Sequence, residues 1–499
     1  MEIQPRILVT GATGYVGGRL VPLLLQKGYR VRCMARDPRK LMGRWDSDVQ
    51  YAGQLEIVAG NVLKPETVSA ALKDVDTAYF LIHSMGDGEK GFVEREKQSA
   101  EKFARAASDQ GVQRIIYLGG LGQRNIETSA HIASRHQTGD VLRSGSVPVT
   151  ELRAAVIVGS GSASFEMLRH LTEKLPIMIC PRWIETRTQP IYIDDVLAYL
   201  IATLETPETA GRILDIGGPD VVNYRQMMLT YAEVKSLRRI IITVPVLTPR
   251  LSAYWVNLVT PIPASIAFPL IEGLKTEMVC ENDEANRLMP IPLTPFREAV
   301  ERTIRATQDL EIPTRWTGAQ LGAVPRYVDP NTLPTHGLLL DRKVIVTSAS
   351  AQALHLAIAR IGGAVGWYYG DWLWMIRGAI DQILGGVGLR RGRRHPELIA
   401  VGDAIDFWRV EEFSANRMRL RAEMMVPGRA WLQFDIEEMP DGKCSFIQTA
   451  YFQPAPFWGQ LYWYALMPIH LFVFHGMIHG IIGWANRYEA EKQSGEASL

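Results

Sequence analysis

Three glycines near the start of the chain have the spacing of a phosphate-binding turn. Gly11, Gly14 and Gly17 lie between an apolar run, 7–9, and an apolar-periodic segment, 16–25. This order predicts a strand, a tight turn and a helix. Gly11 permits the turn, Gly14 lets the backbone approach a pyrophosphate, and Gly17 allows close packing of the helix. The helix amides and the positive end of its dipole then face the phosphates. An ordinary strand-to-helix turn is the alternative.

Arg36 ends the second predicted strand, 29–36, at the position that selects between nicotinamide cofactors. An NAD enzyme places an acidic residue there for the ribose hydroxyls, whereas an arginine suits a 2′-phosphate. The sequence therefore favours NADP(H) over NAD(H). Asp37 is close enough to keep NAD(H) open, and a solvated surface arginine is the other interpretation. Asp37 is also predicted to cap a helix that begins at Pro38.

Strands alternate with helices through the first part of the chain. Further strands are predicted over 55–60, 76–82, 114–118 and 149–153, and helices over 92–110 and 130–143. Strands and helices that alternate at this spacing indicate an α/β fold with a parallel, doubly wound sheet of the Rossmann type.

These segments resemble the atypical extended short-chain dehydrogenase/reductases, and among them the NmrA-like proteins and the nucleotide-binding accessory subunit of respiratory complex I. The resemblance covers about residues 5–305 and rests on 10–18, 61–62, the strand ending at Gly119, 152–156 and 189–196. It implies that the turn contacts the pyrophosphate, that 61–62 lie near the adenine and 81–83 near the ribose. The predicted cofactor-binding residues are Gly11, Thr13, Gly14, Tyr15, Val16, Gly17, Arg36, Asn61, Val62, Leu81, His83, Arg135 and Val156. Asn61 stands where the family usually has aspartate.

The catalytic residues usual in this superfamily are absent. Its enzymes use a serine, together with a tyrosine and a lysine four residues apart on one helix face. The matching positions here are His131 and Arg135, and the serine position is Gly119 or Gly120. The predicted catalytic residues are therefore Arg135, in the electrostatic and ribose-binding role, and His131, as a proton donor that titrates near neutrality. The alternative is that both are helix-surface residues without a role in turnover.

Residues 157–305 are predicted to supply the substrate side of a first domain, 1–307. Its segment 240–269 is apolar and carries five prolines, which indicates an irregular lid over an apolar substrate rather than a membrane span. Asp194 or Asp195 is predicted to cap the helix beginning at Val196, and Asn223 a later one. Segment 308–336 is predicted to be a linker.

A second domain, 337–490, is predicted to be α+β, followed by a disordered tail, 491–499. Its strands and long apolar C-terminal helix, 461–485, resemble in order the helix-grip (Bet v 1/START-like) fold. Such proteins enclose an apolar cavity between sheet and helix. Core packing is the preferred interpretation for each aromatic residue that could line one, namely Trp408, Trp431, Phe434, Tyr451, Trp463 and Tyr464.

The net charge, the cysteines and the distribution of charged residues argue against some classes of function. The net charge of +1 argues against a dedicated nucleic-acid binder, and four scattered cysteines favour a reducing, cytoplasmic location without a zinc site. No secretory signal is expected, and His475 and His479, although one helical turn apart, are not expected to bind metal. The stretch 444–486 carries no Asp, Glu, Lys or Arg. A buried helix is favoured there, with peripheral membrane contact as the alternative.

The sequence thus predicts an NADP(H)-dependent oxidoreductase that acts on a small apolar carbonyl or quinone-like compound. A cofactor-binding sensor or assembly scaffold without turnover is the alternative from another class, and the missing serine, tyrosine and lysine are its main support. A peripheral lipid-binding protein is a third.

Overall fold

The computed structural model describes residues 5–42, 44–45, 53–82, 92–122, 129–244, 256, 260, 262, 264–308, 314, 338–391, 393, 395, 398–455 and 458–494. The chain divides into two compact units, Met1–Ala323 and Val324–Leu499. The boundary falls inside the segment predicted as a linker.

The first unit is built on a parallel sheet, as the alternation of strands and helices predicts. Its strands are β1 (Arg6–Thr10), β2 (Arg30–Ala35), β3 (Leu55–Ala59), β4 (Thr77–Phe80), β5 (Arg114–Gly120), β6 (Val149–Ala154), β7 (Ile157–Val158), β8 (Ile177–Pro181), β9 (Arg187–Thr188), β10 (Ile191–Tyr192), β11 (Ile213–Ile216), β12 (Val222–Asn223) and β13 (Ile240–Val244). Seven of them form one sheet in the order β11-β6-β5-β4-β1-β2-β3. All neighbouring pairs in this sheet are parallel.

Helices cover both faces of this sheet. They are α1 (Gly17–Gln26), α2 (Pro65–Leu72), α3 (Phe92–Asp109), α4 (Ala130–Arg143), α5 (Ala163–Lys174), α6 (Ile193–Glu205), α7 (Tyr224–Val234), α8 (Ala264–Gly273), α9 (Glu284–Leu288) and α10 (Phe296–Gln308). Alternate strand residues point to opposite faces. Accordingly Ile7 and Val9 pack with α1 and α6 in one core, and Leu8 packs with α2 and α3 in another. The fold is a doubly wound Rossmann fold.

The strand order reverses between β1 and β4, which are neighbours although β2 and β3 separate them in sequence. In open α/β sheets, a crevice forms at such a point beyond the carboxyl ends of the strands, and ligands bind there. The glycine turn follows β1 directly, so the topology places it at this crevice.

Two expectations for the substrate side need correction. Asp194 and Asp195 do not cap a helix at Val196, because α6 already begins at Ile193 and its first residue has no side-chain cap. Asp195 is instead buried and accepts hydrogen bonds from the Thr294 amide (2.8 Å) and hydroxyl (3.0 Å). The apolar segment 240–269 is partly regular: β13 pairs with β8, and Pro269 lies inside α8. Most of 245–263 lies outside the described residues.

The described part of the second unit is an antiparallel sheet with three α-helices. Its elements are β14 (Leu339–Thr347), α11 (Ala351–Ala359), α12 (Asp371–Ile383), β15 (Ala404–Ile405), β16 (Trp408–Ser414), β17 (Arg417–Ala422), β18 (Gly428–Glu438), β19 (Cys444–Pro454) and α13 (Trp458–Ser494). The sheet order is β14-β19-β18-β17-β16-β15. Helix α13 continues four residues into the predicted tail.

One face of this sheet forms the core of the second unit with α11 and the later half of α13. Trp408 and Phe434 belong to that core, but Trp431 and Tyr451 pair on the opposite face, and Tyr464 is 63% exposed. The six aromatics therefore cannot line one cavity. The described part of the chain holds no group of three or more His, Cys, Asp or Glu placed to bind a metal.

Candidate cofactor and substrate site

A cavity of about 430 Å³ lies at the carboxyl ends of the parallel strands. The turns after β1 to β6 line it, together with parts of α3, α4, α5 and α8. The predicted residues that lie in its wall are Gly11, Thr13, Gly14, Tyr15, Val16, Gly17, Arg36, Asn61, Val62, Leu81, His131 and Arg135. His83 lies outside the described residues. Val156 does not line this cavity; it lines a smaller neighbouring one.

The glycine turn has no space for side chains at its two ends. Gly11 has φ +79°, and a Cβ on it would lie 2.6 Å from the Leu81 carbonyl oxygen. A Cβ on Gly17 would collide with the Gly11 carbonyl. The Gly14 amide donates to the Gly11 carbonyl oxygen at 2.8 Å and closes the turn. Packing against the protein's own backbone therefore requires glycine at both ends of this turn.

Thr314 holds the turn from a segment that the sequence predicts as linker. Its hydroxyl donates to the Tyr15 carbonyl oxygen (2.8 Å) and accepts from Arg19 Nε (3.1 Å). The Arg19 guanidinium lies 4.9 Å from the centre of the Tyr15 ring. The Tyr15 hydroxyl is buried without a hydrogen-bond partner among the described residues, and burial raises its pKa. No signal in the sequence points to Thr314.

The carboxylate of Asp37, just after β2, accepts hydrogen bonds from Arg39, two residues later. Arg39 donates to the two carboxylate oxygens through Nε (2.9 Å) and Nη2 (2.8 Å), and the Arg39 amide donates to Oδ1 (3.2 Å). The hydrogen bond from Arg39 lowers the pKa of Asp37. The cap predicted for this residue is confirmed, on a short 3-10 helix, Pro38–Lys40. Arg36, next to it, is exposed and lines the cavity.

The cavity wall is positively charged. Arg36, Arg95 and Arg135 line it, and no Asp or Glu stands among its described lining residues. Cationic walls of this kind attract anionic ligands. The glycine turn and the three arginines thus suit a dinucleotide with its phosphates. Arg95 escaped the sequence reasoning because it lies within the polar helix α3, where charged residues usually face solvent.

His131 and Arg135 lie one turn apart on α4 and both line the cavity. The Ser129 hydroxyl caps this helix by accepting from the Ile132 amide (3.3 Å). The Arg135 guanidinium lies 4.9 Å from the centre of the Tyr117 ring and donates to the Leu118 carbonyl. The structure therefore brings the two predicted catalytic residues together at one end of the site.

The serine position of the superfamily differs between its two candidates. A Cβ on Gly119 would lie 3.1 Å from Glu151 Oε1, a carboxylate that is fully buried between Arg143 and Arg153. A Cβ on Gly120 would meet only Arg135 side-chain carbons, at 3.6 Å. Crowding therefore disfavours a serine at position 119, whereas position 120 has ordinary space for one.

A second, smaller cavity of about 90 Å³ adjoins the first. His131 and Gly120 line both cavities. The other lining residues are mostly apolar: Leu121, Ile132, Ala154, Ala155, Val156, Ser164, Met167, Tyr224, Pro269, Leu270, Gly273, Leu274 and Met278. Val156, predicted to bind the cofactor, lies in this wall together with residues of α5 and α8. His131 thus stands between a charged cavity and an apolar one.

Among curated proteins, the chain is 29% identical over 207 residues to the ceramide reductase of Caulobacter vibrioides, covering 40% of this chain and 61% of that protein. It is 24% identical over 234 residues to the photosystem II assembly factor Ycf39 of Trieres chinensis (42% and 63%). It is 31% identical over 134 residues to a 3 beta-hydroxysteroid dehydrogenase/Delta 5-->4-isomerase of Mycobacterium tuberculosis (24% and 34%). Each match spans less than two thirds of the relative's length.

Solved structures with a similar fold include a nucleoside-diphosphate-sugar epimerase from Staphylococcus aureus (18% identity, TM-score 0.47) and a triphenylmethane reductase from Citrobacter sp. (19%, 0.47). They cover 59% and 60% of this chain, and 99% of each neighbour. Such values transfer no activity or substrate to this chain.

Two family models match separate parts of the chain. Residues 335–477 match a family described as a protein of unknown function (DUF2867). Residues 11–158 match an NAD(P)H-binding family, and this range holds the glycine turn, the three cavity arginines and His131. The first unit thus contains an NAD(P)H-binding Rossmann domain.

Proposed function

We propose that the protein is an NADP(H)-dependent oxidoreductase that reduces an apolar carbonyl or quinone-like compound. The observation that carries this proposal is the position of His131, which lines both the positively charged cavity and the apolar one. A dinucleotide in the first cavity and an apolar substrate in the second would meet beside this imidazole.

The choice of NADP(H) over NAD(H) rests on the end of β2. An NAD enzyme needs a carboxylate to accept from the ribose hydroxyls. Here the Asp37 carboxylate already accepts from Arg39 on both oxygens, while Arg36 lines the cavity. A 2′-phosphate would meet arginine, to which it can bind through two parallel hydrogen bonds.

Residues of the chain itself would bind and orient the cofactor and would protonate the substrate. The bound nicotinamide supplies or accepts the hydride. The glycine turn, Arg36 and Arg95 would hold the phosphates, and Arg135, one helical turn from His131, would place its charge beside the reacting groups. His131 carries a proton that it can donate to a substrate oxygen as negative charge develops there.

The smaller cavity supports an apolar substrate. Its wall is mostly apolar, with Met167, Leu270, Leu274 and Met278 among its side chains. Burial of apolar ligand surface in such a wall stabilises binding by about 25 cal/mol per Å². The names of two relatives, a ceramide reductase and a 3 beta-hydroxysteroid dehydrogenase, support an apolar substrate.

The test is His131→Ala, assayed by NADPH consumption with a panel of quinones and aromatic aldehydes. We expect kcat to fall by about 10²–10⁴-fold, the usual contribution of a positioned acid, while the Kd for NADPH changes less than about twofold. His475→Ala, an exposed histidine of the second unit, is the matched control. Unchanged turnover in His131→Ala would remove His131 as the acid.

A second function has its own support. Crowding disfavours a serine at position 119, position 120 is also glycine, and the usual tyrosine and lysine are replaced by His131 and Arg135. A relative is named as an assembly factor, and such a protein could bind NAD(P)H without turnover. Tight NADPH binding by calorimetry, with no consumption in the presence of any substrate tested, would favour this sensor or scaffold.

The helix-grip assignment of the second unit remains part of the proposal. In its favour, the first strand β14 lies beside the last strand β19, α11 and α12 fall between the first two strands, and a long helix ends the chain. A hydrophobic ligand for this unit would bind between the sheet and α13.

A further inference from the structure

Helix α12 exposes an apolar face along its whole length. Its buried residues Trp374, Gly378 and Asp381 face the second unit. The apolar residues on the other side recur every three or four positions and are 47–85% exposed. They are Trp372, Met375, Ile376, Ile380, Ile383 and, just after the helix, Leu384. A helix of a soluble domain normally turns such a face inward.

The first half of α13 has the same character. Six of its large apolar residues are 44–67% exposed: Trp458, Leu461, Tyr464, Ile469, Leu471 and Phe472. The later half, from Val473 to Ala485, supplies seven residues to the core of the unit. By length and composition α13 could cross a membrane, which taken alone is weak support for any span.

Geometry argues for a helix that lies on a membrane instead of crossing it. The exposed part, 458–472, extends about 22 Å at 1.5 Å per residue. A bilayer's hydrocarbon core is about 30 Å thick. The remainder of α13 is held in the domain core, so the exposed part alone is too short to span.

The two exposed faces are adjacent. The Tyr369 ring, just before α12, contacts Phe472 edge-on at 5.2 Å between centroids. On the other side, Asp381 accepts from the Met425 amide (2.6 Å) and Arg377 donates to the Met425 carbonyl (2.8 Å). The Met425 side chain is itself 55% exposed. We call α12, Met425 and residues 458–472 together the apolar surface.

The charges around this surface favour an anionic partner. Two carboxylates of α12 itself accept hydrogen bonds from backbone amides: Asp371 accepts from Trp367, and Asp381 accepts from Gly388 and Met425. Arg377 of α12 pairs with Asp381 (3.6 Å) and is partly exposed, and Arg429 of β18 is exposed. In sequence, α12 is followed within eleven residues by Arg390, Arg391 and Arg394.

We propose that the apolar surface docks the protein on an anionic lipid bilayer, with α12 and residues 458–472 lying in the interface. Exposed tryptophan and tyrosine with an arginine edge are typical of interfacial helices, since aromatic side chains settle at headgroup level and arginines meet lipid phosphates. The proposal rests on the second unit and is independent of cofactor binding.

The test is flotation of the full-length protein with phosphatidylcholine vesicles, with and without phosphatidylglycerol. We expect binding to the anionic vesicles, weakened by salt and reversed at alkaline pH, as for a protein that does not span. The double variant Ile376→Glu, Ile380→Glu should lower the partition coefficient at least about tenfold, because charged side chains resist transfer into the interface.

A matched control uses isoleucines of equal exposure elsewhere. Ile177 and Ile179 of β8 are 54% and 61% exposed, against 51% and 47% for Ile376 and Ile380. Ile177→Glu, Ile179→Glu should keep vesicle binding and the same NADPH affinity. Absence of vesicle binding in the wild type would overturn the proposal. So would a self-associated wild type that Ile376→Glu, Ile380→Glu converts to monomer without any lipid effect.

Discussion

The two units differ in which charged and apolar side chains are available to contact another molecule. In the first, three arginines and no described carboxylate line a cavity. In the second, opposite charges on the sheet pair internally, as in Arg409 with Glu423 (3.0 Å) and Arg421 with Glu411 (2.8 Å). The second unit instead exposes the apolar surface of α12 and α13.

This difference indicates what each unit binds. A cationic cavity attracts an anion small enough to enter it, whereas a large uncharged surface is stabilised by contact with another apolar phase. The cavity of the first unit therefore suits an anionic ligand from solution, and the apolar surface of the second unit suits the extended lipid surface proposed above. The following changes act on the first unit and should leave the second unaffected.

The largest effect is expected from the glycine turn. Gly11 and Gly28 have similar φ angles, +79° and +86°, but a Cβ would meet the Leu81 carbonyl at Gly11 and nothing at Gly28. We expect Gly11→Ala to lower the free energy of unfolding of the first unit by about 3 kcal/mol, and Gly28→Ala by about 1 kcal/mol, the left-handed strain alone. Scanning calorimetry with NADPH binding measures both.

Equal losses in the two variants would mean that the Leu81 carbonyl yields and that the turn is an ordinary one. A shift in the thermal unfolding transition of the second unit would contradict the expectation that these substitutions affect the first unit alone.

The parts that the sequence predicted share a local cause. A strand, three spaced glycines and a periodic helix are encoded within 20 residues. Each of the other predicted strands and helices, and the i, i+4 pair His131 and Arg135, is likewise encoded in one short segment. The capping box of Asn223 with Gln226, and the sheet strands after residue 404, follow from equally local patterns. Such features need no knowledge of distant contacts.

The features that were not predicted depend on contacts between residues distant in sequence, or they have apolar residues that are exposed instead of buried. Thr314 meets Tyr15 across 299 residues, and Asp195 meets Thr294 across 99. Helix α12 was not predicted from the sequence, for two reasons. Its N-cap residue is glycine, which has no side chain to cap the helix. Many of its apolar residues are exposed, so they do not mark a single buried face. Tyr464 was predicted from its type to pack in the core or to line a cavity, but it is 63% exposed.

A middle-sized effect is expected from Glu166, which orders the loop before α5. It accepts from the Gly161 amide (3.2 Å) and from Arg169 (2.7 Å). Burial raises the pKa of Glu166, but His170 and Arg169 outweigh burial and lower it from 4.5 to about 2. The ionised form therefore stabilises the fold above pH 4.5, and this contribution is lost as the pH falls toward 2.

We expect Glu166→Gln to cost the first unit about 2–3 kcal/mol at pH 7, with the difference from wild type shrinking between pH 4.5 and 2. Urea unfolding at several pH values measures it. A difference that is constant with pH would show that shape, and not charge, holds the loop.

The smallest effect, and the most informative for the cofactor, is expected from Arg36→Ala. Loss of a guanidinium beside a 2′-phosphate should weaken NADPH about tenfold, or about 1.4 kcal/mol, and NADH less than about twofold. Calorimetry with the two cofactors measures the ratio, and Arg105→Ala, an exposed arginine of α3 outside the cavity wall, controls for net charge. Equal weakening of both cofactors would place Arg36 at the pyrophosphate, and no weakening of either would make it a solvated surface residue. In both cases the Asp37–Arg39 pair, not Arg36, would be the remaining basis for cofactor choice.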